Sequence, residues 1–260
     1  MRELAFVNYH VKRPVPQQFR FDVDGIVGNL ESPELTRTAV QVADLRNAAS
    51  SVDFERDGIR FSKAPTTVKT FSADAVWRDS YDRSLETLLQ ESIGAREVLV
   101  FDHTVRIDDP NAARKPARNV HNDYSTQGAK QRVIDLVGPE LARDYEAGHY
   151  AFINVWRPVE HPIQSSPLGF IRPATVAADD WMTIELVYPD RVGEILGVAA
   201  NDAHEWFYLS QMTPDEVVIF NIYDNRGRSH LAHSALDMAE PEGGHTLRKS
   251  IESRTLVRFE

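Results

Sequence analysis

The second half of the chain is a succession of short strand-like segments that no helical segment separates. After residue 149, apolar and β-branched residues recur in short runs bounded by turn-forming residues. The predicted strands span 150–156, 183–188, 193–199, 206–209, 217–223 and 254–259. The alanines and leucine of 192–200 fit a helix equally well. Parallel strands need long, usually helical, crossovers, so this pattern excludes an alternating α/β fold and favours a sandwich or barrel.

The first half of the chain has a mixed pattern. Up to about residue 70 it consists of short extended pieces, in which 40–45 alternates like a strand. A Ser-Pro-Glu sequence within 31–37 predicts one helical turn. Between Val76 and Ile93, apolar residues recur at three- and four-residue steps, which predicts an amphipathic helix that ends at Gly94.

Two further helices are predicted over 126–136 and 139–148, just before the strand-rich half begins. No linker, repeat or low-complexity tract divides the 260 residues, which predicts one domain, 1–260. We expect 1–100 to form a mixed α/β support and 101–260 to form the core. The predicted fold class is α+β, a sandwich or barrel buttressed by helices from the N-terminal half.

The composition excludes several classes of function. The chain has no cysteine, which excludes disulfides, thiolate nucleophiles and Cys-ligated zinc or iron–sulfur sites. A net charge of −10 opposes binding to nucleic-acid phosphates. No apolar run reaches the roughly 20 residues of a membrane span, and no secretory signal is recognised, so we expect a cytoplasmic protein. The motifs of serine hydrolases, zinc proteases and P-loop enzymes are absent.

One short motif, His121-Asn122-Asp123, is a candidate metal site. Residues two apart in an extended segment point to the same side, so the imidazole and the carboxylate can share one ion. Two histidines and a carboxylate on one face of an octahedron leave three positions open, an arrangement that suits Fe(II) oxygenases. Taken alone, the triplet is more simply explained by a hydrogen bond in a surface turn.

A third ligand has to come from a distant part of the chain. Two histidines, His230 and His233, follow the predicted strand 217–223. Residues three apart point to opposite sides of an extended chain, so at most one of the two is expected to face the motif. The residues by themselves leave the choice between them open.

A series of ordered motifs resembles the CmcJ/NvfI-like family of non-haem Fe(II)/2-oxoglutarate-dependent oxygenases. The resemblance extends from Val42 to Phe259, about four-fifths of the chain. The matching segments are 44–46, 93–95, 100–106, 120–123, 154–158, 167–168, 204–208, 212–216, 223–225, 232–235 and 247–254. So many matches in the same order are far more specific than the His-x-Asp triplet alone.

The resemblance implies a double-stranded β-helix, the jelly-roll or cupin-like barrel. It also implies that His121, Asp123 and His233, rather than His230, bind Fe(II), with 2-oxoglutarate and O₂ as co-substrates. The implied reaction is oxidation of a C–H bond, by hydroxylation, desaturation or cyclisation, in a small secondary-metabolite or amino-acid-derived substrate.

The chain departs from the family pattern around the distal histidine. Ala232 stands where the family has proline, Leu236 stands where it has an aromatic residue, and Met238 follows Asp237 where proline is usual. These changes affect the expected pocket wall and therefore the substrate more than the iron. They also support a first alternative, a non-catalytic jelly-roll binding module.

A dicarboxylic co-substrate needs a cationic partner, and arginine suits it because its planar fork meets a carboxylate with two hydrogen bonds. Arg248 and Arg254 are six residues apart, hence on one face of a regular strand, and we expect one or both to bind 2-oxoglutarate. The competing interpretation pairs either arginine with Glu252 or Glu260 at the surface. A second alternative function, a divalent-metal hydrolase using the same triad, does not need such arginines.

Four further residues are substrate or anion candidates. Arg157 is a candidate anion-binding residue, although a buried salt bridge explains it equally well. Trp156, Tyr124 and Tyr208 can line a pocket, but aromatic residues on strands more often belong to the core.

Overall fold

The computed structural model describes residues 2–26, 29–46, 52–72, 74–240 and 246–259. Most of its regular structure is β-sheet, with few helices, and the strand-rich second half predicted from the sequence is present. In chain order the strands of these residues are β1 (Arg2–His10), β2 (Gln17–Phe21), β3 (Leu30–Glu31), β4 (Leu35–Asp44), β5 (Ile59–Lys63), β6 (Glu97–Ile107), β7 (His121–Asn122), β8 (Tyr150–Pro158), β9 (Leu168–Ile171), β10 (Trp181–Val187), β11 (Val192–Val198), β12 (Trp206–Tyr208), β13 (Glu216–Asp224), β14 (His233–Ala235), β15 (Asp237–Met238) and β16 (Lys249–Arg258). Glu260 lies outside the described residues.

The helices of the described residues are α1 (Phe54–Asp57), α2 (Arg78–Ile93) and α3 (Thr126–Ala147), with 3₁₀ turns at Val23–Gly25, Pro173–Thr175 and Ala178–Asp180. The predicted helix over 76–93 is confirmed, and its last residue is followed by Gly94 in the left-handed conformation. The two helices predicted on either side of Gly138 are the halves of α3, which breaks at Gly138 because its φ of 82° and ψ of 161° are not helical. No helix in the described part of the chain is both long and apolar enough to cross a bilayer.

The strands form two sheets. The larger has the order β15-β1-β4-β12-β9-β14-β7-β11-β10-β2-β3, and the smaller has the order β5-β13-β8-β16-β6. Neighbouring strands are antiparallel except for the pairs β12–β4 and β10–β2. Strands from the first 100 residues therefore pair with strands of the second half in both sheets.

Alternation along β8 shows how the smaller sheet is packed on both faces. Phe152 and Trp156 join the core that also contains Phe170 of the larger sheet and residues of α3. Ile153 and Val155 point the other way, into a second core that α2 completes. The candidate site described below lies on the face of β8 that carries Trp156.

Two predicted segments differ from the structure, and a third, which also fitted a helix, is confirmed as a strand. The segment 31–37 contains no helical turn: β4 begins at Leu35 and pairs with β1 over nine residues, which outweighs the weak preference of a single turn. The ambiguous segment 192–200 is strand β11. The last strand begins at Lys249, earlier than the predicted 254, because β16 pairs with both β6 and β8 along its length.

A glycine after α1 gives a test of this packing. Gly58 has a φ of +69°, and a Cβ added there would lie 2.3 Å from the Ser229 carbonyl oxygen. Gly58→Ala should therefore lower the free energy of unfolding by about 1–2 kcal/mol for the left-handed backbone plus about 1–3 kcal/mol for the clash. Gly94→Ala is the matched control, since its φ is +72° but nothing lies within 4 Å of the added Cβ. Urea unfolding measures both losses, and equal losses would contradict the packing around Gly58.

Candidate metal centre and active site

Two histidines that are distant in sequence face each other across paired strands. In the larger sheet β7 pairs antiparallel with β14, and the register places His121 directly opposite His233. Side chains opposite each other on one face of an antiparallel pair are close neighbours. The two imidazole rings accordingly have centroids 4.5 Å apart.

Asp123 follows His121 by two residues and points to the same side, as the sequence predicts. Its Oδ1 lies 3.4 Å from His121 Nε2 and 3.7 Å from His233 Nε2. The ligand atoms of the three residues all lie within 4.8 Å of one another. His230 is not part of this cluster, because its ring packs on Trp181 at 4.7 Å between centroids.

Both histidine rings are oriented by the main chain. His121 Nδ1 lies 2.8 Å from the carbonyl oxygen of Asn119, and His233 Nδ1 lies 3.0 Å from that of Leu231. A carbonyl only accepts, so each Nδ1 carries a proton, and Nε2 is the ring nitrogen that faces the cluster. Metal-binding histidines are typically fixed in this way by a partner on the other ring nitrogen.

The two carboxylate oxygens of Asp123 have different partners. Its Oδ2 accepts hydrogen bonds from Asn154 Nδ2 and Arg254 Nε, each at 3.0 Å. Its Oδ1 is the oxygen that faces the two Nε2 atoms. Three ligand atoms therefore converge on one point with their outer partners already in place, which fits a divalent transition metal.

The protonation states favour the same interpretation. Burial, with a smaller contribution from His121, lowers the pKa of His233 to about 4, so this ring is neutral at pH 7. Burial tends to raise the pKa of Asp123, but the Arg254 charge and the His121 ring outweigh it and hold the pKa well below its usual value. A neutral imidazole and an ionised carboxylate are the forms that bind metal ions.

Arg254 lies in a network of acidic groups around the candidate metal ligand. Besides Asp123, its guanidinium contacts Asp102 at 2.7 Å, Thr104 at 3.1 Å and the carboxylate of Glu252. The pairing with Glu252 that the sequence suggested is thus present, but it is largely buried rather than at the surface. All three guanidinium nitrogens already have partners.

Arg248 has a different environment. It is buried and lines a cavity together with both candidate histidines, Trp156 and Glu252. Its Nη1 donates to the Ser166 carbonyl, and the Ser250 hydroxyl lies 3.4 Å from its Nε and Nη2. Among the described residues it forms no ion pair within 4.0 Å.

The charge of Arg248 persists in this cavity. Burial, and next the nearby Arg106, lower its pKa to about 9, so it remains a cation at pH 7. A buried cation without a paired carboxylate is costly. An anionic ligand in this cavity would supply the partner that Arg248 lacks among the described residues.

Two of the aromatic candidates lie near the cluster. Trp156 lines the cavity, its ring lies 5.1 Å from the Arg248 guanidinium carbon, and its buried Nε1 has no acceptor among the described residues. Tyr124 follows Asp123 and packs against Phe152 at 4.9 Å. Burial, with the neighbouring Asp123 charge, raises the pKa of Tyr124 to about 12.

The other two candidates lie away from the cavity. Tyr208 donates from its hydroxyl to Glu3 at 2.8 Å, within a separate part of the core. Arg157 donates to the main-chain carbonyls of Ala64 and Pro214 and packs over the Tyr81 ring. Because Arg157 follows Trp156 on one strand, the two side chains point to opposite faces of β8.

Sequence reasoning missed two residues that the structure brings to the site. Asn154 supports Asp123, and Ser250 lies beside Arg248. Strand alternation was the available indication, since Asn154 shares a face with Trp156 and Ser250 shares one with Arg248. Both residues lie in segments that carry the family resemblance, 154–158 and 247–254, but the resemblance assigned them no role in the site.

A more open surface depression lies elsewhere, beside strand β2, and it contains Arg13 and Arg20. These arginines are paired with Glu34 and Glu31, and all four side chains are about half exposed. Exposed ion pairs of this kind carry little energy and leave no cation unpaired. The less open cavity next to the histidines is therefore the stronger candidate site.

Comparison with known proteins agrees with this geometry. A family model described as an oxidoreductase/YMDC permease-like domain matches residues 7–258. The hydroxylase/desaturase efuI of Hormonema carpetanum is 31% identical over 91% of this chain and 88% of its own length. The Fe(II)/2-oxoglutarate-dependent dioxygenase nvfI of Aspergillus novofumigatus is 28% identical over 84% of this chain and 82% of its own length.

Solved structures share the fold. A structure of the iron and alpha-ketoglutarate-dependent endoperoxidase NvfI superposes with a TM-score of 0.85, covering 98% of this chain and 97% of that chain at 23% identity. A further structure of the same endoperoxidase gives a TM-score of 0.83 at 22% identity. The chain therefore belongs to the NvfI-like family of non-haem Fe(II)/2-oxoglutarate-dependent oxygenases.

Proposed function

We propose that His121, Asp123 and His233 hold the iron of this oxygenase and that Arg248 binds the distal carboxylate of 2-oxoglutarate. One observation carries the proposal: three converging ligand atoms share a cavity with a buried arginine that has no carboxylate partner among the described residues. A hydrolytic metal site needs no such arginine. A binding module needs no ligand atoms held ready by outer partners.

Each side chain has a separate task in this assignment. The two Nε2 atoms and Asp123 Oδ1 would hold the iron, the two-histidine, one-carboxylate ligand set that suits non-haem Fe(II) oxygenases. Asn154 and Arg254 hold Oδ2, so only one carboxylate oxygen of Asp123 points to the iron. Iron held by these residues would supply, with 2-oxoglutarate and O₂, the oxidising power to break a substrate C–H bond, with succinate and CO₂ as co-products.

The co-substrate is oriented by the other end of the cavity. The Arg248 fork can donate two charge-assisted hydrogen bonds to a carboxylate, and the Ser250 hydroxyl lies close enough to the guanidinium to add a third. The Trp156 ring packs beside this pair, where its bulk excludes water and its unpaired Nε1 can donate to a ligand oxygen.

We also propose that the fold is a double-stranded β-helix and that 1–260 form one domain. The two sheets with a shared aromatic core and the superposition on NvfI support the jelly-roll assignment. The pairing of strands from 1–100 with strands from 101–260 in both sheets supports the single domain.

The substrate is proposed to be a small secondary-metabolite or amino-acid-derived molecule that undergoes hydroxylation, desaturation or cyclisation. The net charge of −10 argues against a nucleic-acid substrate. A cytoplasmic location is proposed because a reducing compartment keeps iron in the ferrous state.

Removal of metal should abolish the reaction. After treatment with a chelator, the protein is expected to lose slow, substrate-free conversion of 2-oxoglutarate to succinate, and Fe(II) should restore it. Zn(II) should occupy the same ligands without restoring succinate, because zinc has no redox chemistry. Succinate is quantified by mass spectrometry with buffer containing Fe(II) as the blank.

The same experiment separates the alternatives. Ester or phosphoester hydrolysis supported by Zn(II) without 2-oxoglutarate would favour a hydrolase. Failure to consume 2-oxoglutarate despite stoichiometric Fe(II) binding would favour a binding module.

A further inference from the structure

Arg248 is held by a closed ring of three hydrogen bonds. Its Nη1 donates to the main-chain carbonyl of Ser166. The Ser166 hydroxyl donates to Asp108 Oδ2 at 2.6 Å, and the main-chain N–H of Asp108 donates to the Arg248 carbonyl at 2.9 Å. The ring joins the loop after β6, the turn before β9 and the start of β16, and it fixes both the main chain and the guanidinium of the arginine.

The backbone conformation of Ser166 helps to close this ring of hydrogen bonds. Its φ of +48° lies in the left-handed region, which residues other than glycine rarely adopt. Its hydroxyl is held twice, by donation to Asp108 and by acceptance from Arg118 Nη2 at 2.9 Å. These contacts stabilise the conformation in which the Ser166 carbonyl points at Arg248.

Asp108 orients Arg248 without neutralising it. Within the described residues, the Asp108 carboxylate pairs with Arg118 at 3.0 Å and forms no ion pair with Arg248. Burial tends to raise the pKa of Asp108, but hydrogen bonds from Ser166 and Arg118 outweigh it and hold the pKa below its usual value. An ionised Asp108 carboxylate only accepts hydrogen bonds, so the Ser166 hydroxyl has to donate to it.

We propose that Asp108 is a positioning residue for co-substrate binding: through Ser166 it sets the orientation in which the Arg248 fork meets the distal carboxylate of 2-oxoglutarate. This inference rests on the proposed function of Arg248. Its indirect geometry has a physical advantage, because a carboxylate bound directly to the guanidinium would occupy the fork that the ligand needs.

The sign of the effect distinguishes positioning from charge. If Asp108 acted only through its negative charge, its removal would reduce repulsion and strengthen the binding of a dicarboxylate. If it acts by positioning, its removal weakens binding of 2-oxoglutarate. The effect should be confined to ligands that reach Arg248, so 2-oxobutyrate, which lacks the distal carboxylate, serves as the matched ligand.

The test is anaerobic calorimetric titration of the Fe(II)-loaded full chain with 2-oxoglutarate and with 2-oxobutyrate. Asp108→Asn should weaken 2-oxoglutarate binding by roughly 10-fold or more, because an amide has one accepting oxygen and its NH₂ group cannot replace the carboxylate oxygen that faces Ser166 or Arg118. Binding of 2-oxobutyrate and of Fe(II) should be unchanged. Asp109→Asn is the matched control, because Asp109 accepts from the Asn111 N–H in the same loop and an asparagine can keep that bond.

A second variant keeps the test decisive if Asp108→Asn folds poorly. Ser166→Ala removes the hydroxyl but retains the carbonyl, so it should weaken 2-oxoglutarate binding in the same selective manner. Unchanged or tighter binding of 2-oxoglutarate in the folded variants would overturn the positioning role. Equal weakening for both ligands would also overturn it. Arg248→Met tests the proposed function separately. If this variant binds 2-oxoglutarate as tightly as the unmodified protein, Arg248 does not bind the co-substrate. If only the Asp108 and Ser166 variants bind normally, the positioning role alone is wrong.

Discussion

Replacing His233 with alanine is expected to reduce Fe(II) affinity by more than about 100-fold, because loss of an outer partner alone already costs roughly 10–100-fold. His233 supplies one of the three ligand atoms that lie within 4.8 Å of one another, and its ring is neutral at pH 7. Succinate formation should disappear with the iron. The measurement is metal content after gel filtration, together with succinate yield.

His230→Ala is the matched control. His230 lies three residues earlier, but its ring packs on Trp181 instead of joining the cluster. This variant should retain iron and succinate formation, and thermal melting of both variants checks that they are folded. Iron retention in His233→Ala combined with iron loss in His230→Ala would show that the distal ligand is misassigned.

Arg248→Met is expected to raise the KM for 2-oxoglutarate by about 10²–10⁴-fold. The estimate follows from two charge-assisted hydrogen bonds at about 1.5–3 kcal/mol each, with about 1.4 kcal/mol for every factor of ten. Arg248→Lys keeps a positive charge but loses the planar fork, so its KM should lie between those of the other two proteins. Initial rates of succinate formation over a range of co-substrate concentrations provide the measurement.

Substitution of Arg254 is expected to affect iron binding more than co-substrate binding. Arg254→Gln should weaken Fe(II) binding more than it raises the KM for 2-oxoglutarate, because Arg254 Nε donates to Asp123. If the two arginine variants show the reverse pattern, Arg254 holds the co-substrate and Arg248 does not.

The two arginines show where sequence reasoning about the site reaches its limit. Strand alternation predicts that Arg248 and Arg254 share a face, but only the tertiary fold brings Asp123 and Asp102 to Arg254 and leaves Arg248 without a carboxylate within 4.0 Å among the described residues. Strand alternation also predicts that Trp156 and Arg157 do not both face the cavity, since consecutive side chains of a strand point to opposite faces.

Two of the candidate metal ligands are predictable from local sequence, and the third is not. The His121–Asp123 spacing predicts a shared side for any extended chain. The choice of His233 over His230 depends on the register between β7 and β14, which is set by long-range strand pairing. The local pattern could not make this choice, and the family resemblance, which rests on the order of several motifs, was needed to select His233.

The fold was predictable where local patterns were strong. The amphipathic periodicity before Gly94 and the proline and glycine near 138 predict helices that the structure contains. The turn predicted within 31–37 was wrong because strand pairing with β1 dominates there. Pairings such as β12 with β4 join segments far apart in the chain, and no local pattern specifies them.

Anaerobic titration of the protein with Fe(II) and then 2-oxoglutarate tests the central claim most directly. Chelation of ferrous iron by a 2-oxo acid produces a weak visible charge-transfer band. The band should saturate at one iron and one 2-oxoglutarate per chain and be absent from His121→Ala and His233→Ala. A band of unchanged intensity in either folded variant would contradict an iron centre built from His121, Asp123 and His233.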